Sequence, residues 1–217
     1  MNKSREDLAK KAAAKLELLK RSAKTGDFWS YCLYMDYSFY KRRESVLKRV
    51  AEMLQKVHDS YSKGEVISIA MSLPPRSGKS YVISLFCSFM LGHFPTKSIM
   101  RNSCTQSLYE KLSKDVRSIV SGEKWQAMFN IPLGAKGVKS WALKGVAQGV
   151  SYFGAGTGGQ IIGIGASMLD ISDDLYKGWE EASSDSINEK TISWADGSRG
   201  SRQERGCCQI EIGRAHV

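Results

Sequence analysis

No CxxC pair occurs among the five cysteines, and only three histidines accompany them. An odd count without metal-ligand spacing argues against a disulfide framework and against a zinc site, and predicts reduced thiols in a cytoplasm. Long hydrophobic runs are missing as well. The longest near the middle, Tyr81 to Leu91 (YVISLFCSFML), is far short of the roughly 20 residues that a bilayer demands. The start of the chain is polar and lysine-rich with no apolar core, so no secretory signal is expected. Internal repeats and long low-complexity linkers are also absent.

What remains is ordinary globular material. The 217 residues with 42% hydrophobic content have room for one α/β domain and a modest extension. The net charge of +10 invites a polyanionic partner such as DNA. Much of it lies early, in Lys10, Lys11, Lys15, Lys20, Arg21, Lys24, Lys41, Arg42 and Arg43. A solvated helix face explains the same residues equally well.

Local patterns divide the chain near residue 60. Residues 4–24 read as a helix of Ala, Leu, Lys and Glu, with Ser4 as cap and Gly26 past its end. Phe28 to Tyr40 is dense in aromatics, suited to packing against a neighbouring domain or to stacking on bases. Residues 43–60 form a second helix, with Val46, Val50, Met53, Leu54 and Val57 at helical spacing. Beyond Gly64 the run EVISIAMS predicts a buried strand over 65–72, followed by a helix over 79–91. A strand over 97–104 and a helix over 106–120 come next, the latter with Leu108, Leu112, Val116 and Ile119 on one face. Glycine-rich sequence from 134 to 165 suggests strands joined by tight turns. A strand over 166–172, a helix over 182–194 and a strand over 207–212 complete the alternation. Such alternation predicts a mainly parallel sheet flanked by helices, with 1–60 as a helical extension and 61–213 as the main domain.

The stretch Ser72-Leu73-Pro74-Pro75-Arg76-Ser77-Gly78-Lys79-Ser80 follows a strand and opens a helix. That context suits a phosphate-binding loop, because backbone N–H groups and the helix dipole both point at an anion. Gly78 lets the backbone approach the phosphates, Lys79 reaches the β- and γ-phosphates, and the Ser80 hydroxyl suits Mg²⁺. Leu73 stands where the usual first glycine would be, and two prolines remove flexibility and a donor.

An ATPase of this kind needs an aspartate at a strand end and an acid beside it to orient water. Ala166-Ser-Met-Leu-Asp-Ile-Ser-Asp-Asp174 supplies both. Asp173 reads as the metal-side carboxylate and Asp174 as the catalytic acid-base residue. A rival frame puts Asp170 on the metal, and a bland one makes the paired aspartates a helix cap.

Pro74 to Ser80 (PPRSGKS) resembles the variant Walker A loop of phage terminase large subunits, which lacks the first glycine. The segment Gly154 to Ala166 is similar to their glycine-rich lead into Walker B. Asp173-Asp174 with Lys177, Glu180, Glu181 and Ala182 is similar to their D-D-x-x-K…E-E-A pattern. The resemblance implies a RecA-like, additional-strand P-loop ATPase core that binds ATP and Mg²⁺. It implies nucleotide contacts from Pro75, Arg76, Ser77, Gly78, Lys79 and Ser80, metal contacts from Ser80 and Asp173, and catalytic roles for Arg76, Lys79 and Asp174. Where many such ATPases have glutamate, this chain has Asp174, which leaves Glu180 or Glu181 as alternative bases. Tyr40 to Glu44 stands at a suitable distance for an adenine contact. One of Arg199, Arg202 and Arg205 would suit action in trans, a DNA contact, or mere decoration of a loop. The implied partners are double-stranded DNA, a portal protein, a small terminase subunit and further copies in a ring, in the host cytoplasm. A helicase-like DNA-dependent ATPase and a non-catalytic DNA-binding module are the competing expectations.

Glu211 to Val217 (EIGRAHV) can be read from one frame of a common sequencing-adapter sequence. Residues 214–217 are therefore expected to be a non-native tail, and the nuclease domain of the family to be missing.

Overall fold

The computed structural model describes residues 2–134, 137–146, 149–161 and 163–214. Four helices come first: α1 (Asn2–Lys24), α2 (Phe28–Met35), α3 (Tyr37–Arg42) and α4 (Glu44–Ser62). Strand β1 (Ser68–Leu73), helix α5 (Lys79–His93), β2 (Ile99–Ser103), α6 (Gln106–Ser121) and α7 (Glu123–Phe129) follow. Then come β3 (Ser140–Trp141), β4 (Tyr152–Phe153), β5 (Leu169–Asp173), α8 (Trp179–Ala182), α9 (Asp185–Trp194), a π-helical turn (Ala195–Arg199), a 3-10 turn (Gly200–Arg202) and β6 (Cys208–Arg214).

The six strands form one sheet in the order β1-β6-β5-β2-β4-β3. Every neighbouring pair is parallel except β3 with β4. Strand β6 is thus inserted between β1, which leads into the loop over 74–78, and β5, which ends at Asp173 just before Asp174. This is the additional-strand, RecA-like arrangement expected from the sequence. It fixes the two halves of the site on strands that point the same way, so both end at one edge of the sheet.

Helix α5 is the centre of the core. Val82 to Leu91 is buried without a break, which explains why its sequence is apolar on all sides. One face rests on the sheet and the other on the early helices. Phe28 meets Phe86 at 5.0 Å and Phe89 at 5.2 Å between ring centres. The Tyr31 hydroxyl lies 2.6 Å from Ser88 Oγ, and Trp125 Nε1 donates to the Ser88 carbonyl at 3.0 Å. Each buried Phe or Leu here stabilises the fold by about 1.5–3 kcal/mol. The aromatics of 28–40 therefore serve this chain's own core: Phe28, Tyr31, Tyr34 and Tyr40 are buried beside α5 residues in one cluster.

Several expectations shift in detail. Helix α1 begins at Asn2, so Ser4 lies inside it and does not cap it. In α4 the buried face runs through Leu47, Val50, Ala51, Leu54 and Val57, while Val46 is exposed. Strand β1 is an edge strand with only Met71 buried, not a fully buried one. Helix α7 and the break between α8 and α9 were not foreseen. Strand β6 runs through Arg214, two residues past Ile212, with Arg214 opposite Leu73; Ala215 to Val217 lie outside the described residues. Among the described residues no helix is long and apolar enough to cross a membrane.

Candidate nucleotide site

The loop between β1 and α5 needs backbone shapes that most residues avoid. Gly78, just before α5, has φ +98°, and a β-carbon built there would come within 2.8 Å of Phe39 Cζ. Glycine is required on both counts. Arg76 also adopts a left-handed φ of +63°, a conformation that costs an arginine about 1–3 kcal/mol. Its side chain is left exposed at the rim. Ser77 Oγ is buried without a hydrogen-bond partner among the described residues.

A cleft of about 400 Å³ opens over this loop, lined by Pro74, Pro75, Arg76, Gly78, Lys79, Ser80, Tyr81 and Asp174. Lys79 reaches across it from the first turn of α5. Its ammonium donates to both Asp174 oxygens at 2.8 Å and to the Gly213 carbonyl of β6 at 3.3 Å. Asp174 follows the last residue of β5 in a left-handed conformation, φ +52°, which Asp tolerates better than most residues. The turn aims its carboxylate back over the sheet edge at the loop. Tyr81 closes the side wall; burial, with Asp36 and Cys32 adding to it, pushes its phenol up to about 12, so it stays neutral.

Asp173 lies differently. It ends β5 on the face toward α5 and is buried. Its Oδ2 accepts hydrogen bonds from Arg101 of β2, at 3.1 Å from Nε and also from Nη2. Arg101 Nη1 donates to Ser84 Oγ at 3.0 Å, and Ser84 Oγ donates to the Ser80 carbonyl at 2.8 Å. Burial is the largest influence and works against the charge on Arg101, but Asp173, Tyr152 and Cys87 together outweigh it and hold the guanidinium above its ordinary value. The structure thus brings Lys79 and Asp174 into one cleft and sets Asp173 beneath it.

The rival frame loses its basis. Asp170 belongs to the opposite face of β5, where Arg199 Nε at 3.0 Å and Gln203 bind it. Arg199 is buried in that pair, so in this structure it is not free to act in trans; Arg205 is exposed. Glu181 pairs with Lys177 at 3.1 Å. Arg101 was the residue that sequence reasoning missed, and the signal was an arginine in the middle of a buried strand. Its backbone is tightly held. A β-carbon on Gly154 would lie 1.8 Å from the Arg101 carbonyl oxygen, which explains one glycine of the glycine-rich lead; Ile162 in that segment lies outside the described residues.

These residues fit a magnesium nucleotide. The cleft offers the Lys79 ammonium, the Ser80 hydroxyl and the Asp174 carboxylate, and Ser77 Oγ lies buried in the same loop without a partner among the described residues. Among the described residues no group of three or more His, Cys, Asp or Glu could hold a metal ion. Mg²⁺ needs no such cage, because one or two carboxylates plus phosphate oxygens and waters suffice.

No protein-family model and no curated protein matches the chain. Among solved structures, it is similar to the large terminase of bacteriophage HK97, at 15% identity and a TM-score of 0.49, over 74% of this chain. It spans only 32% of that chain's length. It is also similar to the N-terminal domain of the DNA packaging ATPase from bacteriophage phi29, at 12% identity and a TM-score of 0.43, over 73% of this chain and 78% of that one. At these identities the functional reading rests on the site residues themselves.

Proposed function

We propose that this chain is the ATP-hydrolysing motor portion of a phage DNA-packaging protein of the terminase large subunit kind. The observation that carries the reading is Lys79 bound to Asp174 inside a cleft formed by a glycine-turned loop at a helix start. Bound MgATP supplies the transferable phosphoryl group and the neutralising cation. Lys79 exchanges Asp174 for the β- and γ-phosphate oxygens, and the N–H groups of Ser77 to Ser80 cradle the phosphates. Ser80 and Asp173 are the residues that would hold Mg²⁺, which would neutralise the phosphate charge. Asp174, released from Lys79, orients the attacking water, and Arg76 at the rim stabilises charge that develops on the phosphoryl oxygens.

In the complete protein the work of hydrolysis would move double-stranded DNA into a procapsid. A portal protein, a small terminase subunit and a ring of further copies would be its partners in the host cytoplasm. These partners rest on the resemblance of the PPRSGKS loop and the acidic strand end, and the exposed lysines of α1 agree with a polyanion nearby.

The decisive experiment measures Mg²⁺-dependent ADP binding by thermal shift together with ATP hydrolysis, with and without double-stranded DNA. Binding and DNA-stimulated turnover are expected. DNA binding without any nucleotide binding would replace this reading with a non-catalytic module. Unwinding of a duplex would select a helicase-like ATPase.

A further inference from the structure

Two buried arginines are paired with aspartates of β5, and they stand on opposite faces of that strand. Arg199 with Asp170 serves the face away from α5, where Gln203 also binds the carboxylate. Arg101 with Asp173 is different, because its third contact leads to the phosphate loop. The side chain is fully buried. It grips Asp173 at the tip of β5 through Nε and Nη2, and it grips Ser84 on α5 through Nη1 at 3.0 Å. Ser84 then donates to the carbonyl of Ser80 at 2.8 Å. One guanidinium therefore ties the acidic strand end to the first turn of α5, which carries the hydroxyl on the metal side.

The geometry of the grip matters. Both bonds from Arg101 to Asp173 fall on Oδ2, and Oδ1 receives none among the described residues. A planar guanidinium with a fixed fork sets the carboxylate plane more firmly than an ammonium would. Carboxylates that bind metal are themselves held by hydrogen bonds from behind, and loss of such a partner typically costs 10–100-fold in metal affinity or activity.

We infer that Arg101 is a positioning residue for the metal side of the site, orienting Asp173 toward Ser80 and fixing the distance between β5 and α5. This rests on the proposed MgATP function. Arg101 touches neither nucleotide nor metal; it works through Asp173 and Ser84. Its position is secured by the sheet, since Arg101 pairs with Ile171 in register and Gly154 packs on its carbonyl.

The test is a Mg²⁺ titration of ADP binding, read by thermal shift and by a fluorescent nucleotide, with ADP affinity in EDTA measured in parallel. Arg101→Lys keeps the buried charge but loses the fork, and Ser84→Ala cuts the link to Ser80 without stranding a charge. Arg101→Lys is expected to raise the Mg²⁺ concentration at half-saturation by roughly 10–100-fold, with metal-free ADP affinity unchanged. Ser84→Ala should raise it by a smaller factor, roughly 3–10-fold. A merely structural role would lower the melting temperature and shift both affinities together, and that result would overturn the inference. So would an unchanged Mg²⁺ dependence in both variants. If the parent chain binds no nucleotide with or without Mg²⁺, the proposed function itself fails, and the inference goes with it.

Discussion

Lys79 and Asp174 stand 95 positions apart in sequence, yet the ammonium of one lies 2.8 Å from both carboxylate oxygens of the other. The pair is largely enclosed, with side-chain exposures of 9% and 12%. Three strands make this contact possible. β1 delivers the loop, β5 delivers the acid, and β6 between them sets their separation and contributes the Gly213 carbonyl as a third partner. The lysine is thereby neutralised from within, and on the proposed reading an entering triphosphate would compete with Asp174 for it.

Replacing that lysine tests the site most directly. Lys79→Ala is expected to abolish the ADP-induced rise in melting temperature and to lower turnover by at least about 10²-fold. The far-UV circular dichroism should be unchanged. Without nucleotide the melting temperature should fall by several degrees, because Asp174 loses the lysine ammonium in a mostly enclosed place. Turnover at the parent rate would remove Lys79 from the phosphate site.

Asp174→Asn separates binding from chemistry. Asparagine tolerates the left-handed backbone that Asp174 adopts, φ +52°, so the strand end keeps its shape. Nucleotide binding should persist, while hydrolysis falls by roughly 10²–10⁴-fold, the usual worth of a positioned acid-base group. Isothermal titration with ADP and a phosphate-release assay read the two effects separately. Normal phosphate release would move the base elsewhere, with Glu180 and Glu181 next in line.

Gly78→Ala attacks the loop by two routes. The added β-carbon meets Phe39 Cζ at 2.8 Å, and the residue must keep φ +98°. A loss of about 1–3 kcal/mol is expected, together with weakened ADP binding. Phe39→Leu in the same chain should recover part of the stability by making room, but not the binding, since the backbone strain stays. Full recovery of both would show that only the clash matters.

The parts of the site that were legible in sequence are those with local chemistry. Gly78-Lys79-Ser80 after a β-branched run reads as a candidate anion site, because the helix start and the glycine turn, both present in the structure, are written in adjacent residues. The paired aspartates were legible as a strand end, but their division of space was not. Only the three-dimensional structure shows Asp174 in the cleft and Asp173 beneath it. Arg101 was illegible for a physical reason: its partner lies 72 positions away, and nothing local distinguishes a paired strand arginine from a solvated one. The same holds for Arg199, which read as a loop cation and is buried against Asp170. On α4, Val46 and Leu47 are neighbours of similar hydrophobicity, and only packing against α5 decides which one is buried. Helix α7, with seven residues, is too short to display a period.

The N-terminal helices give an independent prediction about pH. His93 ends α5 with its ring 4.5 Å from Phe89 and 5.4 Å from Phe129, and its Nε2 lies 3.2 Å from the Ala23 carbonyl. Burial first, and then nearby His58, lower its pKa from 6.5 to about 4. Below pH 6.5 the unfolded chain takes up a proton that the folded chain refuses, so folding stability falls as pH drops. The loss runs from about pH 6.5 down to about 4 and levels off beneath that. Its total is roughly 1–3 kcal/mol after allowance for partial solvent access to the ring. Above pH 7 this residue adds no slope. Melting temperatures of the parent and of His93→Gln, taken between pH 4 and 8, isolate the effect from the carboxylates. The variant should start lower at pH 8 but lose less on acidification, and parallel curves would show that His93 does not titrate in this window.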